Sequence, residues 1–136
     1  MNDLKNKNII VTGASGGIGN SIVKRLYDTG AKILASGTRI EKLEELKKNF
    51  ENIKILKFDI SQSDKVEEFI ENATNELGGS LDGIINNAGI TQDNLAIRMS
   101  LDEWQKVINI NLTSTFLMCK FAIKKMLKNK SGKIVN

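Results

Sequence analysis

Short apolar runs that end at glycine or polar turns recur along the chain. Such a run is typical of a strand that is buried on both faces, as in a parallel sheet. The pattern predicts five strands, at residues 9–11, 32–36, 53–58, 81–86 and 133–136.

Between these runs, apolar residues recur at three- and four-residue spacing, which is typical of a helix with one buried face. The predicted helices run from Gly19 to a C-cap at Gly30, over residues 41–49, from Ser61 or Ser63 to Leu77, and from Ser100 or Asp102 to Leu127. Strands that alternate with helices form a parallel sheet with right-handed crossovers. The sequence therefore predicts a doubly wound α/β fold that stops after the start of its fifth strand.

The composition is that of a soluble globular protein, since 40% of the 136 residues are hydrophobic and 26% are charged. No apolar run approaches the roughly 18 residues that cross a bilayer, and residues 1–8 are polar, so we expect no membrane segment and no secretory signal. The absence of histidine excludes the usual zinc and copper sites and histidine-dependent hydrolases. The single cysteine, Cys119, is expected to be a small buried residue, and it fits a reducing cytoplasm.

The net charge of +4 is unevenly distributed. The last seventeen residues contain no acid and six lysines: Lys120, Lys124, Lys125, Lys128, Lys130 and Lys133. These lysines form either a solvated helix face or a docking patch for an acidic partner. Because no recognition-helix signature accompanies them, we expect no nucleic-acid partner.

A glycine-rich turn, residues 12–19, connects the first predicted strand to the first helix. Glycine lets the backbone turn tightly and lets a diphosphate approach without a Cβ in the way. The helix that follows directs its free N–H groups and the positive end of its dipole toward the anion. A purely structural turn would not need four glycines in seven positions. The turn therefore predicts a dinucleotide site, and it lacks the Gly-Lys-Ser/Thr of a P-loop.

The second predicted strand ends in Ser36-Gly37-Thr38-Arg39, without an acidic residue. NAD-binding sites usually have Asp or Glu about twenty residues beyond the glycine motif, where it binds the ribose 2′-hydroxyl. An arginine can instead pair with a 2′-phosphate, so the sequence favours NADP(H) over NAD(H). The alternative is that Arg39 is a solvated residue at the start of a helix.

Asn109 and Asn111 interrupt the long apolar helix, where asparagine is a poor helix former. A residue type that disfavours a regular helix, when it occurs within one, often marks a functional kink. The alternative is two asparagines on a partly exposed turn. Trp104, Phe116 and Met118 indicate core or interface packing.

Together these motifs resemble the short-chain dehydrogenase/reductase family. Residues 12–19 match its glycine motif, Asp59 follows the third strand, Asn-Asn-Ala-Gly at 86–89 follows the fourth, and Asn111 lies in the helix before the fifth. The stretch 87–99 resembles more narrowly the 3-oxoacyl-[acyl-carrier-protein] reductases of bacterial fatty-acid synthesis.

The resemblance implies that residues 1–136 are the N-terminal part of one Rossmann-type domain that binds NADP(H). The glycine turn would cradle the diphosphate, and three further turns would border the adenosine ribose, the adenine and the nicotinamide ribose. The residues implied for the diphosphate are Gly13, Ser15, Gly16, Gly17, Ile18 and Gly19. Those implied for the adenosine ribose are Thr38 and Arg39, and those for the adenine are Asp59 and Ile60. Those implied for the nicotinamide ribose are Asn87, Ala88 and Gly89.

The resemblance also implies a catalytic residue, a protein partner and a homo-oligomeric assembly. The backbone carbonyl of Asn111 would hold a water of the proton relay. Four lysines fall where such reductases present basic residues to the acidic acyl carrier protein: Lys124, Lys125, Lys128 and Lys130. The helix at residues 102–127 resembles the one through which relatives form dimers and tetramers, so a homo-oligomer is expected.

The family's chemistry needs a serine at the end of the fifth strand and a Tyr-x-x-x-Lys on the next helix, beyond Asn136. The only tyrosine, Tyr27, has Ala31 four residues on. We therefore expect the N-terminal part of an NADPH-dependent reductase of 3-oxoacyl thioesters, inactive by itself. The alternatives are a short non-catalytic nucleotide-binding or partner-binding protein and a reductase of another alcohol or ketone. The bare edge of the fifth strand predicts pairing or aggregation.

Overall fold

In the computed structural model, which describes residues 3–136, five strands form one parallel sheet. They are β1 (Asn8–Val11), β2 (Lys32–Gly37), β3 (Lys54–Lys57), β4 (Gly83–Ile85) and β5 (Lys133–Val135). Their order across the sheet is β3-β2-β1-β4-β5. The strand order therefore reverses between β1 and β4, and the predicted doubly wound α/β class is confirmed.

Helices connect the strands. They are α1 (Gly17–Asp28), α2 (Ile40–Asn49), α3 (Val66–Glu76, after a 3₁₀ turn at Ser63–Lys65), α4 (Leu101–Val107) and α5 (Ser114–Asn129). Within the described part of the chain, no helix combines the length and the apolar character needed to cross a bilayer.

Two apolar layers cover the sheet, one on each face. Successive residues of a strand point to opposite faces, so Ile10 of β1 packs with Ile70 of α3 and Met118 of α5. On the other face, Val11 packs with Leu43 of α2. Because both faces are covered by helices, the accessible carboxyl ends of the strands are left for a ligand.

The long helix predicted before β5 is interrupted. Residues Ile108–Thr113 form a π-helical segment between α4 and α5, and this segment contains both Asn109 and Asn111. π-Helical turns occur frequently at functional sites. The helix therefore departs from regular α-helical geometry at the two asparagines, which are both exposed, while the functional role of this kink stays a prediction.

Some local predictions are wrong. Ser61 and Ser63 do not cap α3, because Lys65 precedes that helix and makes no side-chain cap. Ser61 instead donates its backbone N–H to an Asp59 carboxylate oxygen at 2.9 Å. The prediction of core or interface packing is not contradicted: Met118 is buried in the core. Trp104 and Phe116 lie outside the core of this chain, with exposed fractions of 56% and 61%, so an interface at these two residues stays a prediction.

Two further differences concern the ends of α1 and the cysteine. The helix begins at Gly17, two residues before the predicted start, and Thr29 is its C-cap. Gly30 follows the cap with a φ of +80°, which is the left-handed conformation that glycine favours there. Cys119 is half-buried rather than buried.

Candidate functional site

A cleft of about 410 Å³ lies at the carboxyl ends of β1, β2, β3 and β4. All thirteen residues predicted to bind a cofactor line it, from the glycine turn to Gly89. The other residues that line it are Thr12, Ser36, Gly37, Phe58, Ile90 and Ile110. Four turns that are distant in sequence are therefore brought together at one edge of the sheet.

The glycine turn is packed so closely that side chains cannot be added at two positions. Gly13 has a φ of +63°, and a Cβ there would lie 2.8 Å from the Ala88 Cα atom. A Cβ on Gly19 would overlap the carbonyl oxygen of Gly13. These two glycines let the turn fold against the start of α1 and against the turn after β4.

The N-terminus of α1 opens into the same cleft. Gly16 is its N-cap and supplies no side-chain hydrogen bond to the first turn. The first backbone N–H groups of a helix have no partner within the helix, and together with the dipole they favour an anion. No acidic side chain stands in the first turn of α1, so the site fits a diphosphate.

Hydrogen bonds join the turns after β1 and β4. The Thr12 hydroxyl oxygen accepts the Ala88 N–H at 3.1 Å, and the Asn87 side-chain amide donates to the Gly13 carbonyl at 3.1 Å. Asn87 thus uses its side chain to hold the glycine turn, which leaves its backbone and those of Ala88 and Gly89 to form the wall of the cleft.

Arg39 lies at the rim of the cleft, as the N-cap residue of α2. Its Nη2 donates to the Ser15 carbonyl at 3.0 Å, so the guanidinium bridges the end of β2 and the glycine turn. One such bond leaves the other guanidinium donors available to a ligand. The bridge holds a positive charge at the rim of the cleft, beside the end of β2.

Asn111 lies outside the lining of the cleft but holds one wall. Its side-chain amide donates to the Ile90 carbonyl and accepts the Ile90 N–H, both at 2.8 Å. The Asn111 backbone carbonyl accepts the Thr115 hydroxyl at 2.8 Å. The side chain therefore fixes the turn after β4, a contact that the sequence did not predict.

The four lysines predicted to bind a carrier protein divide into two pairs. Lys124 forms an ion pair with Glu67 at 2.6 Å, and Lys125 forms one with Glu71. The hydrogen bond to Glu67 raises the pKa of Lys124, and the one from Lys125 lowers the pKa of Glu71. Acids on α3 thus offset two of the charges, while Lys128 and Lys130 are exposed at the end of α5.

Six of the residues that line the cleft were not among those predicted to bind a cofactor, and Ser114 beside it was not predicted either. Ile90 and Ile110 line the cleft, and the buried Ser114 hydroxyl donates to the Ile60 carbonyl at 2.6 Å. Apolar residues and a single serine give no local signal of a site, because their partners are distant in sequence. Only adjacency to a predicted residue could have indicated the two isoleucines, since Ile90 follows Gly89 and Ile110 precedes Asn111.

A glycine cradle and a helix N-terminus at the point where strand order reverses define a nucleotide-binding α/β protein. The sequence model of the short chain dehydrogenases matches residues 7–136, and the chain belongs to this family. The predicted family resemblance is therefore confirmed.

Individual relatives agree with this assignment. The 3-oxoacyl-[acyl-carrier-protein] reductase FabG of Rickettsia conorii is 40% identical over the whole chain, which covers 55% of that protein. Nodulation protein G of Rhizobium sp. strain N33 is 38% identical over the whole chain, which covers 56% of it. A crystal structure from Brucella melitensis is also similar; its protein is a short-chain dehydrogenase/reductase, glucose/ribitol dehydrogenase. The TM-score is 0.84 and the sequence identity is 29%. The match covers 90% of this chain and 53% of that one.

The chain spans about half the length of these relatives. The family and the fold imply a nicotinamide nucleotide as cofactor. The glycine turn fits its diphosphate, because Gly13 and Gly19 allow a close approach of backbone segments that a Cβ at either position would prevent.

Proposed function

We propose that this chain is the N-terminal part of one Rossmann-type domain in an NADPH-dependent 3-oxoacyl-carrier-protein reductase. Such an enzyme reduces a 3-oxoacyl thioester to the 3-hydroxyacyl form in the fatty-acid synthesis of the cytoplasm. Two observations support the substrate class: the relatives named FabG and the residues 87–99. The observation that supports a nucleotide most directly is the convergence of four turns on one cleft.

The residues of the cleft have separate proposed tasks. The glycine turn binds the diphosphate, Thr38 and Arg39 border the adenosine ribose with Arg39 paired to its 2′-phosphate, and Asp59 accepts a hydrogen bond from the adenine amine. When bound, the nicotinamide supplies a hydride to the substrate carbonyl. We propose that the Asn111 backbone carbonyl, which accepts the Thr115 hydroxyl, also holds the relay water.

We expect no turnover from the 136 residues alone. The reaction needs a proton donor beside the substrate carbonyl, and the only tyrosine, Tyr27, packs on α1 against Phe50 with their ring centroids 5.2 Å apart. The test is NADPH consumption with an acetoacetyl thioester. Clear turnover by this polypeptide would contradict the expectation.

The preference for NADPH depends on Arg39. A guanidinium paired with the 2′-phosphate makes a charge-assisted hydrogen bond worth about 1.5–3 kcal/mol. Replacing it by R39Q should therefore weaken NADPH binding by roughly tenfold or more and leave NADH binding within about twofold, because NADH has no 2′-phosphate. Calorimetric titration of both nucleotides measures the two affinities.

A matched control uses another arginine. R25Q removes the same charge from the last turn of α1, and Arg25 does not line the cleft. It should leave the affinities for both nucleotides unchanged. If R39Q weakened the binding of NADPH and of NADH equally, Arg39 would maintain the glycine turn through Ser15 and would not bind the 2′-phosphate.

We propose that the lysines of α5 bind the acidic carrier protein, chiefly through Lys128 and Lys130. Lys124 and Lys125 belong to the same patch but already pair with acids of α3. The variant K128E/K130E should weaken binding of acyl carrier protein at least tenfold at low salt, and added salt should reduce the difference. The control K47E/K48E changes two adjacent exposed lysines on α2, and an equal loss there would reject a specific patch.

A further inference from the structure

The Ser114 hydroxyl lies at a junction between two walls of the cleft. It is buried, with 2% of the residue exposed. Its Oγ is 2.6 Å from the Ile60 carbonyl oxygen and 2.9 Å from the Asn109 carbonyl oxygen. Ile60 belongs to the turn after β3, whereas Asn109 belongs to the π-helical segment. One side chain therefore joins an outer turn of the sheet to the interrupted helix.

The hydroxyl has one proton for these two acceptors. The Asn109 carbonyl already accepts the Ser114 backbone N–H, which closes the π-helical turn. The proton is therefore free to go to Ile60, the nearer acceptor. Removing the hydroxyl would leave the part-buried Ile60 carbonyl without this donor, which costs free energy, so this bond favours one position of the Ile60 turn against the helix.

The π-helical segment connects this contact to the opposite side of the cleft. Ile110 lines the cleft itself. Asn111, the next residue, makes both hydrogen bonds to Ile90 in the turn after β4. The turns after β3 and β4 are thus both held at the six-residue π-helical segment, because Asn111 lies within it and Ser114 directly follows it.

We propose that Ser114 is a positioning residue of the cofactor cleft. Its hydroxyl fixes the position of the Ile60 turn relative to the π-helical segment, and through that segment it maintains the contact between Asn111 and Ile90. Its effect on the cofactor rests on the proposed function. Its effect on the two turns does not, and it can be measured without any ligand.

The experiment follows the backbone amide of Ile90 in the full 136-residue chain by NMR hydrogen exchange. Its N–H donates to Asn111 Oδ1, so its exchange reports directly on that contact. In S114A it should exchange at least fivefold faster, a size typical of coupling between sites. The S114T variant retains the hydroxyl and should restore the wild-type rate. NADPH titration of the same samples should show roughly tenfold weaker binding for S114A.

The control is T74V, which removes another buried helix hydroxyl, bonded to the Ile70 carbonyl within α3. It should destabilise the chain without a selective change at Ile90. Should S114A not fold, S114C keeps the volume with a weaker donor and takes its place. An unchanged Ile90 rate, a uniform acceleration of all amides, or an S114T variant that behaves like S114A would overturn the proposal. Failure of the wild-type chain to bind NADPH would instead reject the proposed function, and the exchange rates would still decide the role of Ser114.

Discussion

Gly17 and Gly19 lie two residues apart at the start of α1, yet their surroundings differ. A Cβ on Gly19 would overlap backbone atoms of Gly13 and Ala14, whereas a Cβ on Gly17 would meet nothing within 4 Å. Backbone atoms cannot move aside as the end of a flexible side chain can. The glycine at position 19 is therefore required by the fold of the turn, and the one at 17 is not.

The pair G19A and G17A tests this difference. Overpacking against backbone should lower the free energy of unfolding of G19A by roughly 2–3 kcal/mol. In G17A, alanine should leave it unchanged or raise it by up to about 1 kcal/mol, because alanine is the better helix former. Urea unfolding followed by circular dichroism measures both. Equal stability of the two variants would show that the turn can open to accept a side chain.

At the residue scale, the sequence predicted what depends on local spacing. The glycines of the turn and the arginine after β2 follow from their distance to a strand end, and the structure brings them into one cleft. The partner of Ser114 is 54 residues away, and the partner of Lys124 is 57 residues away. No local pattern predicts such pairs, because only the packed helices bring them together.

The element with the clearest local signature is α4. Ser100 accepts the Glu103 N–H at 3.2 Å, and the Glu103 carboxylate accepts the Ser100 N–H at 2.7 Å, which together form a capping box. The sequence predicted that this helix begins at Ser100 or at Asp102, and in the structure Ser100 is its N-cap. Two asparagines likewise marked the π-helical segment, whereas the exposure of Trp104 depends on which faces the other helices cover.

This capping box predicts a pH dependence. The hydrogen bonds from Ser100, first that of its backbone N–H, lower the pKa of Glu103. The stabilisation of α4 by Glu103 is therefore complete above the ordinary glutamate pKa of about 4.3 and is lost as the pH falls through the lower pKa of the folded state. The Ser100 amide proton shift in an NMR titration should change with a midpoint below that ordinary value.

Two variants define the control for this titration. E103Q should abolish the acid-induced shift at Ser100, whereas E44Q, which changes an exposed glutamate on α2, should leave it in place. A midpoint for Ser100 at or above the ordinary glutamate pKa would mean that the capping box does not stabilise the carboxylate.

On the scale of the whole molecule, two exposed surfaces of the described chain bear on self-association. One is the edge strand β5, where Val135 is 54% exposed. The other is a stripe along α4, the π-helical segment and α5, which we call the apolar face; it consists of Trp104, Leu112, Phe116, Ile123 and Leu127. The sequence predicted the bare edge at the fifth strand, but it could not distinguish a buried helix face from an exposed one.

The apolar face and the edge predict different modes of self-association, and the structure favours the face. Strand β5 has three residues and includes an exposed lysine, Lys133, and charged residues on a short edge oppose strand pairing. The apolar face exposes five large side chains, and exposed apolar patches of this kind mark interaction sites.

Sedimentation velocity should therefore show concentration-dependent association of the wild-type chain. The variant L112E/F116E should abolish this association, and V135K should leave it intact. If V135K alone dissociates the assembly, the copies pair through the edge as the sequence predicted; a monomer at all concentrations would reject both surfaces.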